Sequence, residues 1–244
     1  MGPILRLRGV SKMFRLETEA RTMYRIIRKL ATGEDERKSI WALKDVDLTL
    51  DRGEKIGLIG GNGAGKTTLL RVILGIIRPT AGTVELNAKA TGFLSLGVGM
   101  ERDLSVLDNI NLFGMIMGMG KDQITERMDA IVEFSGLGEY LHSPLRDLSS
   151  GMYQRLAFSI AKESRPDLLV LDEILMGGDI WFQKKALRFF EDNDLEGSSL
   201  IFTSHDLGLI ERFCEKAVWI EGGKIMAQGP TEEVISMYGR RPEG

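Results

Sequence analysis

The sequence lacks most of what would send a protein out of the cell or into a bilayer. It has one cysteine, Cys214, in 244 residues. No internal disulfide can form, and a single thiol fits a reducing compartment. No apolar run reaches the roughly 18–20 residues that a membrane-spanning helix needs. The N-terminus, MGPILRLRGV, is interrupted by Arg6 and Arg8 and has no continuous signal-peptide core. The chain is therefore expected to be neither secreted through such a signal nor integral to a membrane. Prolines number 6 and histidines 2, and there is no basic excess, since the formal net charge is −3. That balance argues against nucleic acid as a general partner.

What is present is core-forming material and glycine. Hydrophobic residues make up 43 % and charged ones 27 %, the balance of a globular chain and not of a disordered or collagen-like one. At this length the expectation is one large domain, 1–244, with a sub-lobe. Glycine is in surplus, at 29 residues against an average usage of about 7 %.

Residues 4–10 alternate apolar and polar, as an antiparallel or edge strand would, and WALKDVDLTL alternates again. KIGLIG reads as a short strand buried on both faces, running into a glycine turn and the helical pattern TTLLRVILGII. This order points to a parallel α/β sheet. Residues about 103–142 carry helical patterns and little strand character. Their methionines, Met115, Met117 and Met119, read as packing for an irregular core more than as a sulfur ligand box. Downstream, QRLAFSIAKES reads as a helix, DLLVLDE and SLIFTSHD as strands, and AVWIEGGKIMAQG as a hairpin turning at Gly222-Gly223.

Gly60-Gly61-Asn62-Gly63-Ala64-Gly65-Lys66-Thr67 fits G-x-x-x-x-G-K-[ST] in full, between a strand and a helix. Glycines let the backbone curl so that successive N–H groups point at phosphate oxygens. The N-terminus of the following helix, with Thr68 in its first turn, aims roughly half a positive charge at the same anion. Lys66 supplies a full charge to the β- and γ-phosphates, and the Thr67 hydroxyl is a ligand for Mg²⁺. The pattern implies binding of a nucleoside triphosphate. Downstream, Leu168-Leu169-Val170-Leu171 leads into Asp172-Glu173, two carboxylates at the end of a buried strand, where α/β folds bind ligands. Asp172 is the candidate to hold Mg²⁺ through water, and Glu173 to orient and polarise the attacking water. Leu148-Ser149-Ser150-Gly151-Met152 opens a helix about 20 residues before those acids. Taken alone, its serines would simply cap that helix.

Together with Thr203-Ser204-His205-Asp206 after a later strand, these segments resemble, in order, the motifs of the nucleotide-binding subunits of ABC transporters. The likeness runs over nearly the whole chain: Walker A at 60–67, the signature motif at 148–152, Walker B at 168–173, then the D-loop and the switch histidine. It implies a P-loop NTPase of α/β class with a RecA-like parallel-sheet core, an antiparallel β-lobe and an α-helical lobe at about 93–150. It further implies a head-to-tail homodimer in which each ATP lies between Walker A of one subunit and the signature helix of the other. Ser149, Ser150 and Gly151 are then the residues facing the partner's ATP, His205 the switch residue near the γ-phosphate, and Asp179 the D-loop aspartate coupling the two sites. Phe14 fits the place of an aromatic that stacks on adenine. Trp41 competes with it, and a core role competes with stacking for both. His142 has no comparable setting and reads as a surface or lobe residue.

Finer details are similar to the ATPases of bacterial polysaccharide exporters: SSGMYQRLAFSIA, LDEILMGGDIWFQKKA, a long insert before WALKDV, and the ending VWIEGGKIMAQGPTEEVISMYG. That resemblance implies a separate membrane permease dimer as partner and a lipid-linked glycan (O-antigen, capsule, teichoic acid or galactan) as cargo. It places the chain on the cytoplasmic face of the inner membrane, with no nucleic acid involved. The family pattern is broken in the region that faces the permease. Ser95 stands where many members have a glutamine, Gly97-Val98-Gly99-Met100 replaces an aromatic-rich stretch, and Ser105-Val106-Leu107-Asp108-Asn109 is also divergent. No carbohydrate-binding domain is expected after the ATPase. In the insert, at about 15–40, Met23, Ile26, Ile27 and Leu30 share one helical face while Arg21, Arg25 and Arg28 line the next. Such a basic amphipathic helix suits an anionic membrane surface, or is an ordinary lobe helix with a solvated face. The alternatives to glycan export are an ABC ATPase serving another cargo and a soluble non-transport ABC ATPase. The second is disfavoured by the single cassette and by the short span of 106 positions from Lys66 to Asp172. Much of the glycine surplus falls in these motifs, but Gly114, Gly118 and Gly120 have no role in them.

Overall fold

The computed structural model describes residues 2–15, 39–88, 90–93, 99–172, 180–191 and 197–241. The expected amphipathic helix with Arg21, Arg25 and Arg28, the carboxylate of Glu173, Asp179, and the stretch around Ser95 and Gly97 lie outside the described residues.

Strand β1 (Leu5–Arg15) lies between β2 (Ser39–Leu50) and β4 (Ala81–Leu86) and is antiparallel to both. The alternation near the N-terminus therefore belongs to the middle strand of a sheet, not to an edge. Its buried face carries Leu5, Leu7 and Val10 from β1 with Val46, Leu48 and Leu50 from β2. The second sheet has six strands in the order β5 (Ala90–Phe93), β6 (Leu168–Asp172), β7 (Ser199–Thr203), β3 (Lys55–Ile59), β8 (Lys216–Glu221) and β9 (Lys224–Pro230). All neighbours are parallel except β8 and β9, which form the hairpin.

The inner strands β6, β7, β3 and β8 are buried on both faces, as their continuous apolar runs require. Leu168 and Val170 of β6 face a core shared with the three-stranded sheet and with helix α1 (Lys66–Ile73). Leu169 and Leu171 face the opposite core. That second core is closed by α2 (Val106–Ile116), α3 (Lys121–Ser135), α4 (Ser150–Glu163), α5 (Ile180–Glu191), α6 (Leu207–Phe213) and α7 (Thr231–Gly239). Period-2 alternation along one strand thus divides the molecule into two apolar layers. None of the helices among the described residues is long and apolar enough to cross a membrane.

Helix α1 is shorter than its apolar pattern, which continues to Ile77. The chain leaves the helix at Leu74 because Gly75 turns left-handed, with φ 69°. Where α2 meets α3, a Cβ on Gly114 would stand 3.0 Å from the Ile124 side chain, so glycine there permits close helix contact. Met119 is buried and Met117 packs against the same core, in line with a packing role, whereas Met115 is exposed on the outer face of α2. Asn109 is fully buried. Its Nδ2 donates to the carbonyls of Glu101, Leu104 and Ser105, and its Oδ1 accepts from the Glu101 N–H. This side chain therefore pins the 101–105 loop to α2. Burial pushes the Cys214 thiol up to about 12, which leaves it neutral and poorly nucleophilic at physiological pH.

Candidate nucleotide site

The phosphate loop links β3 to α1 at the carboxyl end of the parallel strands. Its last glycine, Gly65, caps α1 with φ 114° and offers no side-chain cap. The first N–H groups of the helix are thereby left for a ligand. Lys66 is buried, and its Nζ donates to the carbonyls of Gly60 at 2.7 Å and Gly61 at 3.2 Å. The ammonium is thus held across the start of the loop. A cavity of about 430 Å³ opens here, lined by residues 61–68 together with Ala42 and Asp172. Asn62, Gly63, Ala64, Thr67 and Thr68 all contribute to its wall.

Asp172 ends β6, and both of its carboxylate oxygens are engaged. The Thr67 hydroxyl donates to Oδ2 at 2.8 Å and the Thr203 hydroxyl to Oδ1 at 2.7 Å. Thr203 is the residue directly across from Asp172 in the parallel β6–β7 pairing. The neighbouring strand therefore orients the carboxylate toward the loop. Thr203 was visible in the sequence only as the residue before Ser204-His205. Its role depends on strand register, which a single sequence does not reveal.

The turn between β8 and β9 supports the loop from behind. The Gly223 N–H donates to the Ala64 carbonyl at 2.9 Å, and the Gly223 carbonyl accepts from the Lys44 N–H at 2.8 Å. Phosphate loop, hairpin and β2 are joined through this one residue. A Cβ on Gly223 would stand 2.6 Å from the Ala42 carbonyl oxygen, and its φ is 80°. Read from sequence, Gly222-Gly223 was a hairpin turn and nothing more.

Ala42 extends the cavity wall toward β1 and β2. The β1–β2 register slips between the Lys12–Leu43 and Met13–Trp41 pairs, which leaves Ala42 unpaired at a bulge. Phe14 pairs across from Ile40, whereas Trp41 pairs across from Met13. Phe14 and Trp41 thus lie on opposite faces of the sheet. It is 40 % exposed and Trp41 is 44 % exposed, so neither is a core residue. The Lys12 ammonium lies 5.3 Å from the Phe14 ring centroid.

The signature residues are elsewhere. Ser149 caps α4, its Oγ accepting from the Met152 N–H at 3.2 Å. Ser149 and Ser150 are exposed, while Met152 packs partly buried against the helical core. Met152 thus contributes packing to the start of α4. None of Ser149, Ser150 and Gly151 lines the cavity beside Lys66. His205 is exposed just beyond β7, two residues after Thr203. The turn there is organised by its neighbours: the Ser204 hydroxyl accepts from the Asp206 N–H, and Asp206 caps α6 by accepting from the Gly208 N–H. His142 is exposed near the 3₁₀ turns that precede α4.

Residues 43–176 match the family model described as ABC transporter. Among curated proteins, the chain is 43 % identical over 199 residues to the O-antigen export system ATP-binding protein RfbB of Myxococcus xanthus, covering 82 % of this chain and 46 % of that one. It is 39 % identical to RfbB of Klebsiella pneumoniae, over 81 % and 80 % of the two chains. Teichoic acids export ATP-binding protein TagH of Listeria innocua is 37 % identical, over 82 % and 60 %. The chain thus spans about half the length of the Myxococcus protein and most of the Klebsiella one. Among solved structures, an ATP-binding subunit of an ABC transporter superposes with a TM-score of 0.75 at 22 % identity, over 99 % of this chain and 95 % of that one.

Proposed function

The chain belongs to the ABC transporter family and carries that family's ATPase domain, and we propose that it powers export of a lipid-linked polysaccharide across a bacterial inner membrane. The observation that carries the ATPase reading is the Asp172 carboxylate, fixed by two threonine hydroxyls beside a lysine-bearing phosphate loop. The choice of cargo is supported by the 39 % identity to an O-antigen export protein over four-fifths of both chains.

ATP enters with its phosphates against the N–H groups of the loop and of α1. Lys66 exchanges its bonds to the Gly60 and Gly61 carbonyls for the β- and γ-phosphate oxygens. Thr67 and Asp172 are oxygen donors already facing one another, and their chemistry fits Mg²⁺, a hard cation with oxygen ligands. When bound, that ion neutralises charge on the β- and γ-phosphates. Glu173, next in sequence to Asp172, orients the attacking water, and His205 contacts the γ-phosphate from the end of β7. Phe14 stacks on the adenine beyond Ala42. The signature residues Ser149, Ser150 and Gly151 act on the ATP of a second copy, so ATP binding favours a homodimer. Asp179 couples the two sites across it. The dimer sits peripherally under a separate permease, and its closure is passed to that subunit.

Co-expression with its permease and reconstitution into vesicles tests the proposal. ATP-dependent movement of a lipid-linked glycan is expected, and the Glu173→Gln variant should bind ATP, dimerise and hydrolyse at least about a hundredfold more slowly. Stimulation of turnover by an unrelated solute, with none by glycan, would refute the cargo. Full-rate hydrolysis in the variant would remove Glu173 from its role.

A further inference from the structure

The end of the described chain returns to the phosphate loop. Helix α7 packs on β8 and β9, and the Tyr238 ring meets the Trp219 ring edge-on, with centroids 5.6 Å apart. Arg241 follows one turn later, its N–H donating to the Tyr238 carbonyl at 3.4 Å. Its guanidinium lies over the Tyr238 ring, 4.2 Å from the centroid. That shelf brings Arg241 Nη1 to 4.0 Å from the point where a Cβ on Gly61 would stand. Among the described residues the guanidinium makes no ion pair or hydrogen bond.

The side of the loop matters. Lys66 Nζ rests on the carbonyls of Gly60 and Gly61, and the lysine of such loops serves the β- and γ-phosphates. Gly61 therefore stands on the side of the cavity where Lys66 meets the β- and γ-phosphates. Two cations converge on this edge, Lys66 from within the loop and Arg241 from outside it. An arginine stacked on an aromatic ring keeps its N–H edges available for phosphate oxygens, and stacking has already restricted its rotamers.

We propose that Arg241, positioned by Tyr238, is a contact for the terminal phosphate of the bound nucleoside triphosphate and favours triphosphate over diphosphate. The proposal rests on the nucleotide site described above. A diphosphate brings one phosphate fewer to this edge, so the guanidinium contributes more to the triphosphate.

The test is calorimetric binding of a non-hydrolysable ATP analogue and of ADP to the full chain, at protein concentrations where it is monomeric. Arg241→Ala should weaken the triphosphate about five- to tenfold and leave ADP within about twofold. Arg241→Lys should fall between, and Tyr238→Leu should weaken only the triphosphate. Equal losses for both nucleotides, or no loss for either, would overturn the proposal. So would a loss confined to concentrations at which dimers form, since the arginine would then act on a second copy. If the unaltered chain bound neither nucleotide, the nucleotide-site reading itself would fall first.

Discussion

Two helices in this molecule begin where a phosphate is proposed to bind, and they begin in opposite ways. Helix α1 starts at Gly65, a left-handed cap with no side chain to satisfy the first N–H groups. Helix α4 starts at Ser149, whose hydroxyl already accepts from the Met152 N–H. A glycine start is less favourable than a serine cap by about a few tenths of a kcal/mol, and it leaves the first N–H groups unpaired. The phosphate loop tolerates it because its shape is imposed from outside: Lys66 spans the loop's carbonyls, and Gly223 ties Ala64 to β2. The signature helix, whose Ser149 and Ser150 are exposed, caps its first turn with its own serine hydroxyl. One site is prepared for its ligand within a single chain. The other is a finished helix end that a second chain's nucleotide must find.

The largest expected effect breaks the first site. Lys66→Ala removes the charge that spans the loop and the partner for the β- and γ-phosphates. ATP hydrolysis should fall by about a hundredfold or more, measured as phosphate release, and ATP affinity should fall with it. The fold should persist by circular dichroism, because the lysine's bonds are to loop carbonyls and not to either core. Near-normal turnover would mean that the loop does not depend on its lysine, and the contrast with α4 would lose its basis.

A smaller effect isolates the outside support. Gly223→Ala drives a methyl to 2.6 Å from the Ala42 carbonyl at a φ of 80°, so hairpin, β2 or loop must shift. Strain on the order of 1–3 kcal/mol should appear as roughly tenfold weaker ATP binding. Gly222→Ala is the control. It also has positive φ, at 53°, but meets nothing within 4 Å. It should cost about 1 kcal/mol of stability and leave ATP affinity nearly unchanged. Equal affinities in the two variants would show that the loop holds its shape without the hairpin.

Local motifs were readable from the chain, and tertiary supports were not. Strand, loop and helix from Lys55 to Ile73 form one contiguous unit whose glycines and lysine act on their own neighbours. The parallel sheet followed from apolar runs such as Leu168–Leu171. By contrast, Thr203 faces Asp172 only through the register of β6 on β7, and Gly223 meets Ala64 only because the hairpin folds back beneath the loop. Neither relation leaves a spacing in the sequence. The N-terminal strand shows the same limit: alternation identified its buried face, but a strand's rank within a sheet depends on partners far along the chain. Phe14 and Trp41 could be separated only once β1 and β2 were paired.

The smallest expected effect concerns the second helix start and sharpens the comparison most. Ser149→Ala removes the cap of α4 and should lower stability by about 1 kcal/mol, whereas Ser149→Gly should cost only a few tenths. The glycine variant gives α4 the kind of beginning that α1 has, with its first N–H groups unspent. If a second chain's ATP needs only those backbone donors, Ser149→Gly should dimerise with ATP as well as the unaltered chain. The hydroxyl, however, can give its proton to a phosphate oxygen while it accepts from the Met152 N–H, so it can cap the helix and bind the ligand together. On that ground both variants should show weaker ATP-driven dimerisation by sedimentation, while nucleotide affinity of the monomer stays unchanged. Full dimerisation in the glycine variant would reduce Ser149 to a cap and make the two helix starts equivalent in function despite their different construction.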